Sequence, residues 1–249
     1  MSTVLALVIA ISFIATLVRS TFGFGESLVA VPLFALLIPI DVAVPLAVAI
    51  SILVALIAVL QDRREIDLES AKWLIIFALL GIPIGLGALV YADAFYVKLA
   101  LGTLITAYAA YSLASRRTAH LEQDSRAWLF ACGFLSGVLG GAYGLNGPPL
   151  VVYGNLRRWS ATQFRATLQA YFLPASLLGL AGYATQGLVT RDVGRYFALC
   201  LPATVPAVFL GRYLNRKLQA ASFFRYVYVG LFAIGALLVA FTLAHVRTG

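Results

Sequence analysis

Of the ten acidic side chains in this sequence, only Glu26 lies at a break within an apolar region. Arg19 stands seven positions before it. The stretch Arg19-Ser20-Thr21-Phe22-Gly23-Phe24-Gly25-Glu26-Ser27 therefore brings a guanidinium, a carboxylate and three hydroxyls into otherwise apolar sequence. Such a set can hold an anion, exchange a proton or pair internally. Ionisable groups are costly in hydrocarbon and face a cavity or a partner, so a functional site is one reading. The other has Arg19 snorkelling to the interface and Glu26 serving as its counter-charge at a helix start.

A second break, Gly144-Leu145-Asn146-Gly147-Pro148-Pro149, carries an uncharged donor and acceptor in Asn146. A helix that begins inside the membrane turns unpaired N–H groups and the positive end of its dipole towards the break, which favours an anion. Glycine lets the chain turn and a ligand approach, and Pro148 suits the first helical turn. Taken singly, such glycines also serve close helix packing. A third set, Thr162, Arg165, Gln169 and Ser176, falls at helical spacing along one face. Arg165 reads equally well as a topology determinant.

Enzymatic chemistry finds no footing. His120 and His245 are far apart and sit in no metal-binding pattern, no acidic pair lies within an apolar segment, and Gly23-Phe24-Gly25 lacks the lysine of a nucleotide loop. Cys132 and Cys200 read as small core residues, and no cofactor or metal site is expected.

The elements that must position these groups are membrane helices. Of 249 residues, 62% are hydrophobic and 11% charged, against about a quarter charged in a soluble domain. Apolar segments run at about 3–18, 26–38, 41–60, 71–91, 94–114, 127–142, 146–156, 161–183, 192–213 and 222–245. All ten are expected to be helical, since lone strands leave backbone groups unpaired in lipid. Segments 26–38 and 146–156 are too short to cross about 30 Å of hydrocarbon comfortably, so each is expected to be a broken or re-entrant helix. The apolar N-terminal run is expected to be the first helix rather than a signal peptide. Trp73, Trp128, Trp159 and Tyr91 are expected to be interfacial anchors.

Aligning Gly23 with Gly144 also pairs Phe13 with Phe134 and one short segment with the other. At slightly larger offsets Pro83 matches Pro206 and Gly102 matches Gly230. Five segments per half invert the second half relative to the first. The expected fold is an all-α polytopic membrane protein of two inverted five-segment repeats, forming one transmembrane domain over 1–249. The repeats cover about 1–116 and 127–249, with a cytoplasmic linker at about 117–126. The net charge of +8 follows the same plan. Alternating loops put thirteen of the eighteen basic residues on one face and four, Lys98, Arg191, Arg195 and Arg247, on the other, with Arg19 inside. That bias makes the rich face cytoplasmic and both termini extracytoplasmic, and it accounts for the basic excess without nucleic acid.

At the paired breaks the sequence resembles the TauE/SafE sulfite exporter family. The matching residues are Gly23-Phe24-Gly25 running into Leu28-Val29-Ala30-Val31-Pro32, then Gly133-Phe134-Leu135-Ser136-Gly137 through Gly140-Gly141 to Gly144, Asn146, Gly147, Pro148 and Pro149. Glu26 and Asn146 interrupt places where many members carry a fuller glycine run. The resemblance implies an inner-membrane permease that moves sulfite, sulfonates or related organic anions, using an ion gradient. On this reading Arg19, Ser20, Thr21, Gly23, Gly25, Ser27, Gly144, Asn146, Gly147, Arg165 and Gln169 bind the anion, Glu26 couples it to protons, and the two repeats alternate access. A passive anion channel is the alternative within transport, and a non-transporting membrane enzyme or assembly partner the alternative outside it. The partners are a small anion, protons and the bilayer, and the oligomeric state is open.

Overall fold

The structure, a computed structural model, describes residues 2–114, 125–157, 159–215, 229, 232–233 and 235–244. Every regular element among them is helical. In chain order these are α1 (Ser2–Phe22), α2 (Glu26–Leu37), α3 (Ile40–Asp62), α4 (Leu68–Tyr91), α5 (Ala94–Ala114), α6 (Arg126–Tyr143), α7 (Gly147–Leu156), α8 (Ala161–Thr185), α9 (Arg191–Asn215) and α10 (Gly235–Ala244). A 3-10 turn at Arg63–Glu65 joins α3 to α4. Five helices, α1, α3, α4, α5 and α9, are long and apolar enough to cross a membrane. The 12 residues of α2 and the 10 of α7 reach only about 18 and 15 Å at 1.5 Å per residue, about half the hydrocarbon thickness. The expected linker lies almost wholly outside the described residues, as do Gly230 and most of the chain between α9 and α10.

Polarity is arranged for lipid. Leu60, Leu80, Ile84 and Phe209 are exposed, whereas Ser12, Thr16, Arg19, Glu26, Ser51, Asn146 and Gln169 are buried. Without a hydrophobic force between helices in lipid, association rests on close backbone approach at small residues. The α4–α6 pair, the most extensive in the fold, is built this way. A Cβ added to Gly133 would press on Leu74, one on Gly137 on Ala78, one on Gly141 on Ile82, and one on Gly81 or Gly85 on the α6 backbone. For these glycines the packing reading holds. The pair runs parallel, Leu74 level with Gly133 and Ile82 level with Gly141. The α1–α9 pair is parallel too, with Ser12 bonded to Cys200 and Ser20 against Gly211. Helices α3 and α8 pack between them.

The connections sort onto two faces. The backbone N–H of Asp67 donates to Thr167 Oγ1, setting the α3–α4 connection beside the start of α8. Opposite, Leu5, Pro39, Asp192 and Arg195 gather around one cavity, uniting the starts of α1, α3 and α9. Asp67 caps α4 by accepting from the Ser70 N–H, and Ser160 caps α8 by accepting from that of Gln163. Trp159, expected as an anchor, instead packs edge-on against Tyr153 and Phe164 over Gly154, because the tight α7–α8 turn folds it inward. Trp73 stacks on Phe77 with the Arg126 guanidinium over its ring.

Candidate functional site

The two breaks meet. Gly23, Gly25 and Gly144 take φ of +88°, +98° and +67°, left-handed values that a side chain disfavours. Helix α6 ends on Gly144 in a paired-bond cap, with the Gly144 N–H donating to the Gly140 carbonyl and the Leu145 N–H to that of Leu139. Gly25 precedes α2 and offers no capping side chain, so the first turn of α2 opens onto a cavity shared with the first turn of α7. Glu26, Ser27 and Leu28 line it on one side and Gly144, Leu145, Asn146 and Gly147 on the other, with Arg19, Ser51 and Phe172 closing it. Its volume is about 20 Å³, room for about one water molecule.

Arg19 is 3% exposed and Glu26 2%. Arg19 Nη1 donates to Glu26 Oε2 at 2.6 Å and to Ser51 Oγ, and its Nη2 donates to Gln169 Oε1 at 2.8 Å. Thr16 Oγ1 donates to the other carboxylate oxygen of Glu26 at 3.1 Å. Gln169 Nε2 donates to the Gly23 carbonyl at 2.7 Å. The guanidinium also lies over the Phe172 ring, 4.9 Å from its centroid. Arg19 thus turns into the protein instead of snorkelling.

The charges at this cavity are unequal. Two helix starts contribute about half a positive charge each, and the Arg19 guanidinium adds one more. Against them stands the single Glu26 carboxylate, in the first position of α2. The pair is neutral by itself, and the helix ends leave the cavity positive. That excess is complementary to negative charge.

The expected residues divide into three groups. Arg19, Gly25, Glu26, Ser27, Gly144, Asn146 and Gly147 line the shared cavity. Ser20, Arg165 and Gln169, again with Arg19, line a second cavity on the side of the Arg63–Glu65 turn. Gly23 and Thr21 line neither: Gly23 offers its carbonyl to Gln169, and the Thr21 hydroxyl donates to the Leu17 carbonyl one turn back along its own helix. Ser176 is buried on α8, and the Thr162 side chain lies outside what the structure describes. Asn146 is placed by its neighbours. Its carbonyl accepts from Ser136 Oγ at 2.6 Å, and its side chain occupies the space a Cβ on Gly140 would need.

Sequence reasoning passed over Thr16, Ser51, Phe172 and Ser136. Two of these had a readable signal. Thr16 precedes Arg19 by three residues on the same helical face, and Ser51 is a lone hydroxyl in the long apolar run of α3. Phe172 is ordinary in its local sequence and Ser136 stands out only as part of the glycine motif of α6; the tertiary fold brings both to the site.

Comparison with known proteins bears on the same elements. A family model described as Sulfite exporter TauE/SafE matches residues 8–238. A protein of Cupriavidus necator named "Probable sulfite/organosulfonate exporter TauE" is 26% identical over 179 residues, covering 71% of this chain and 70% of its own. No solved structure matches the chain. The family match takes in both breaks, the α4–α6 glycine pair and the buried Arg19–Glu26 site alike, so this multi-pass membrane chain is a transporter rather than an enzyme, and it belongs to the TauE/SafE sulfite exporter family.

Proposed function

We propose that the protein is a secondary transporter of small anions, namely sulfite, sulfonates or related organosulfur and organic anions, in the bacterial inner membrane. The observation that carries this reading is the convergence of two internal helix starts on one buried cavity beside Arg19. Ser27 and Asn146 add uncharged hydrogen-bonding groups, while Gly25, Gly144 and Gly147 let an anion reach the backbone N–H groups. The name of the Cupriavidus necator relative points to the same substrate class.

Glu26 is the proton-coupling group. As a carboxylate it occupies Arg19 Nη1 and stands in for the substrate; once protonated it releases that donor to an incoming anion. Proton and anion then move together, and loss of the proton on the far side returns the carboxylate to Arg19 and expels the substrate. A cavity of about 20 Å³ is too small for a sulfonate. That favours a carrier which opens to load over a channel with a standing pore.

Alternating access rests on the inverted repeat. Its support is the exchange of contacts between halves: α1 pairs with α9 as α6 pairs with α4, both pairs are parallel, and α3 meets α8 across the middle. Helix α1 ends towards the face where α6 begins, as inversion requires, so one bundle can rock against the other around the shared cavity.

A thermal-shift screen of the purified protein against sulfite, methanesulfonate, sulfate and small carboxylates tests the assignment. A ligand that binds only the folded state raises the melting temperature. Sulfite or the sulfonate is expected to stabilise the wild type and to lose that effect in Asn146→Ala. Stabilisation by none of these anions contradicts the reading.

A further inference from the structure

The two parallel helix pairs of the fold are packed with different chemistry. Helix α6 meets α4 through Gly133, Gly137 and Gly141. Helix α1 carries Ser12 and Thr16 one turn apart on the face it turns to α9, and α9 carries Tyr196, Cys200 and Thr204, again one turn apart. Ser12, Thr16, Cys200 and Thr204 are all buried. The Ser12 hydroxyl has two acceptors for its one proton, the Val8 carbonyl at 2.8 Å and Cys200 Sγ at 3.2 Å. Thr16 and Thr204 lie between that contact and the Ser20–Gly211 contact farther along the same pair. Thr16 Oγ1 donates to Glu26 Oε1, whereas Thr204 Oγ1 is buried with no hydrogen-bond partner among the described residues. Buried hydroxyls are as a rule paired, so the exception calls for a reason.

One end of this seam reaches the membrane surface and the other ends on Glu26. Tyr196 lines the cavity of about 290 Å³ that gathers Leu5, Asp192 and Arg195 at the face opposite the Arg63–Glu65 turn. From Leu5 to Thr16, α1 descends about 17 Å at 1.5 Å per residue. No residue is charged on α1 before Arg19, nor on α9 between Arg195 and Arg212. Nothing in the seam attracts an anion, yet each hydroxyl both donates and accepts, as proton transfer requires. Hydroxyls one turn apart are joined by a bridging water. Pro202 and Pro206 each deny the carbonyl four residues earlier its helical partner, which leaves acceptors for such water on either side of Thr204. At Glu26 itself Arg19 is the one charged neighbour among the described residues: α3 brings Ser51, α8 Phe172 and the second break Asn146, while Lys98 of α5 stands at the Leu36 end of α2. We propose that the α1–α9 seam is the proton route of the carrier, running from the Tyr196 cavity past Ser12 and Thr204 to Thr16 and Glu26. A hydronium in the cavity gives up a proton and becomes water. At the inner end the Thr16 hydroxyl passes its proton to Glu26 Oε1 and takes one from the seam, so Thr16 is unchanged and the carboxylate becomes a neutral acid. Because α1 and α9 come from opposite halves of the chain, rocking of the halves joins or interrupts the route. This rests on the coupling reading above and adds to it the path by which the proton arrives.

The test separates the rate of proton delivery from anion movement. Proteoliposomes holding the full chain are assayed for the initial rate and final level of pH-gradient-driven sulfite uptake, and for sulfite-for-sulfite exchange without a gradient, which needs no net proton transfer. The proteins are the wild type, Ser12→Ala, Thr204→Val and Thr204→Ser, each first checked for its ligand-free melting temperature. Ser12→Ala and Thr204→Val are expected to slow the initial pH-driven rate about a hundredfold, the lower end of what a positioned proton-transfer group contributes, and to slow it further in deuterium oxide. Exchange and the final level of accumulation are expected to stay as in the wild type, because a route sets a rate and not an equilibrium. Thr204→Ser restores the hydroxyl and is expected to restore the rate. Wild-type initial rates in both hydroxyl-deleted variants, or exchange slowed in the same proportion as driven uptake, overturn the route while leaving Glu26 as the coupling group. Wild-type proteoliposomes that show no pH-driven uptake overturn both.

Discussion

At the scale of single residues the site turns on one buried ion pair and the groups that hold it. Arg19 reaches Glu26, Ser51 and Gln169 with its two terminal nitrogens, a fork that a lysine cannot reproduce. Removing one member of a buried pair strands the other's charge at a cost of about 3–5 kcal/mol, whereas removing both is much milder. Thermal unfolding in detergent is therefore expected to find Arg19→Gln strongly destabilised and the double variant Arg19→Gln with Glu26→Gln more stable than that single variant. Additive losses would mean that the two side chains do not act as a pair. This pair was legible in the sequence, because two charges seven residues apart in apolar surroundings are conspicuous. The side to which each group faces was not. Thr21 sits between Ser20 and the break, yet its hydroxyl satisfies its own helix, while the unremarkable Ser51 on α3 completes the site.

At the scale of elements the breaks are the decisive features. Their glycines are needed for two separable reasons, backbone conformation and space. Gly187, at φ +73° with open space where a Cβ would go, isolates the first. Gly187→Ala is expected to cost about 1–2 kcal/mol, from the left-handed backbone alone, and to leave transport unchanged. Gly23→Ala bears the same strain and also drives a methyl into Arg165, so it is expected to lose more stability and to weaken anion-dependent stabilisation in the thermal-shift screen. Equal effects of the two substitutions would contradict the close seating of α8 on the first break. The short helices and their glycine starts could be read from segment length and composition. What could not be read is that most glycines of α6 serve its contact with α4, because close packing and ligand approach require the same residue.

At the scale of the whole molecule, the first nine segments of the sequence recur as helices with nearly the expected bounds, since apolar run length is a direct consequence of bilayer thickness; most of the first half of the tenth, 222–245, lies outside the described residues. Their mutual arrangement depends on small-residue contacts that hydropathy does not register. Reporter fusions are expected to find the N-terminus outside and the Arg63–Glu65 turn in the cytoplasm; the reverse would invert the orientation drawn from loop charge. The proposed exchange of Arg19 between the Glu26 carboxylate and a monovalent anion would move one proton with each anion, so flux of a monoanionic sulfonate is expected to be insensitive to an imposed membrane potential. The most direct measurement is pH-gradient-driven sulfite uptake into proteoliposomes by the wild type and by Glu26→Gln. The wild type is expected to concentrate the anion along the gradient, and Glu26→Gln to lose that drive while still exchanging anion for anion. Undiminished pH-driven uptake by Glu26→Gln would contradict the coupling of anion and proton at this site.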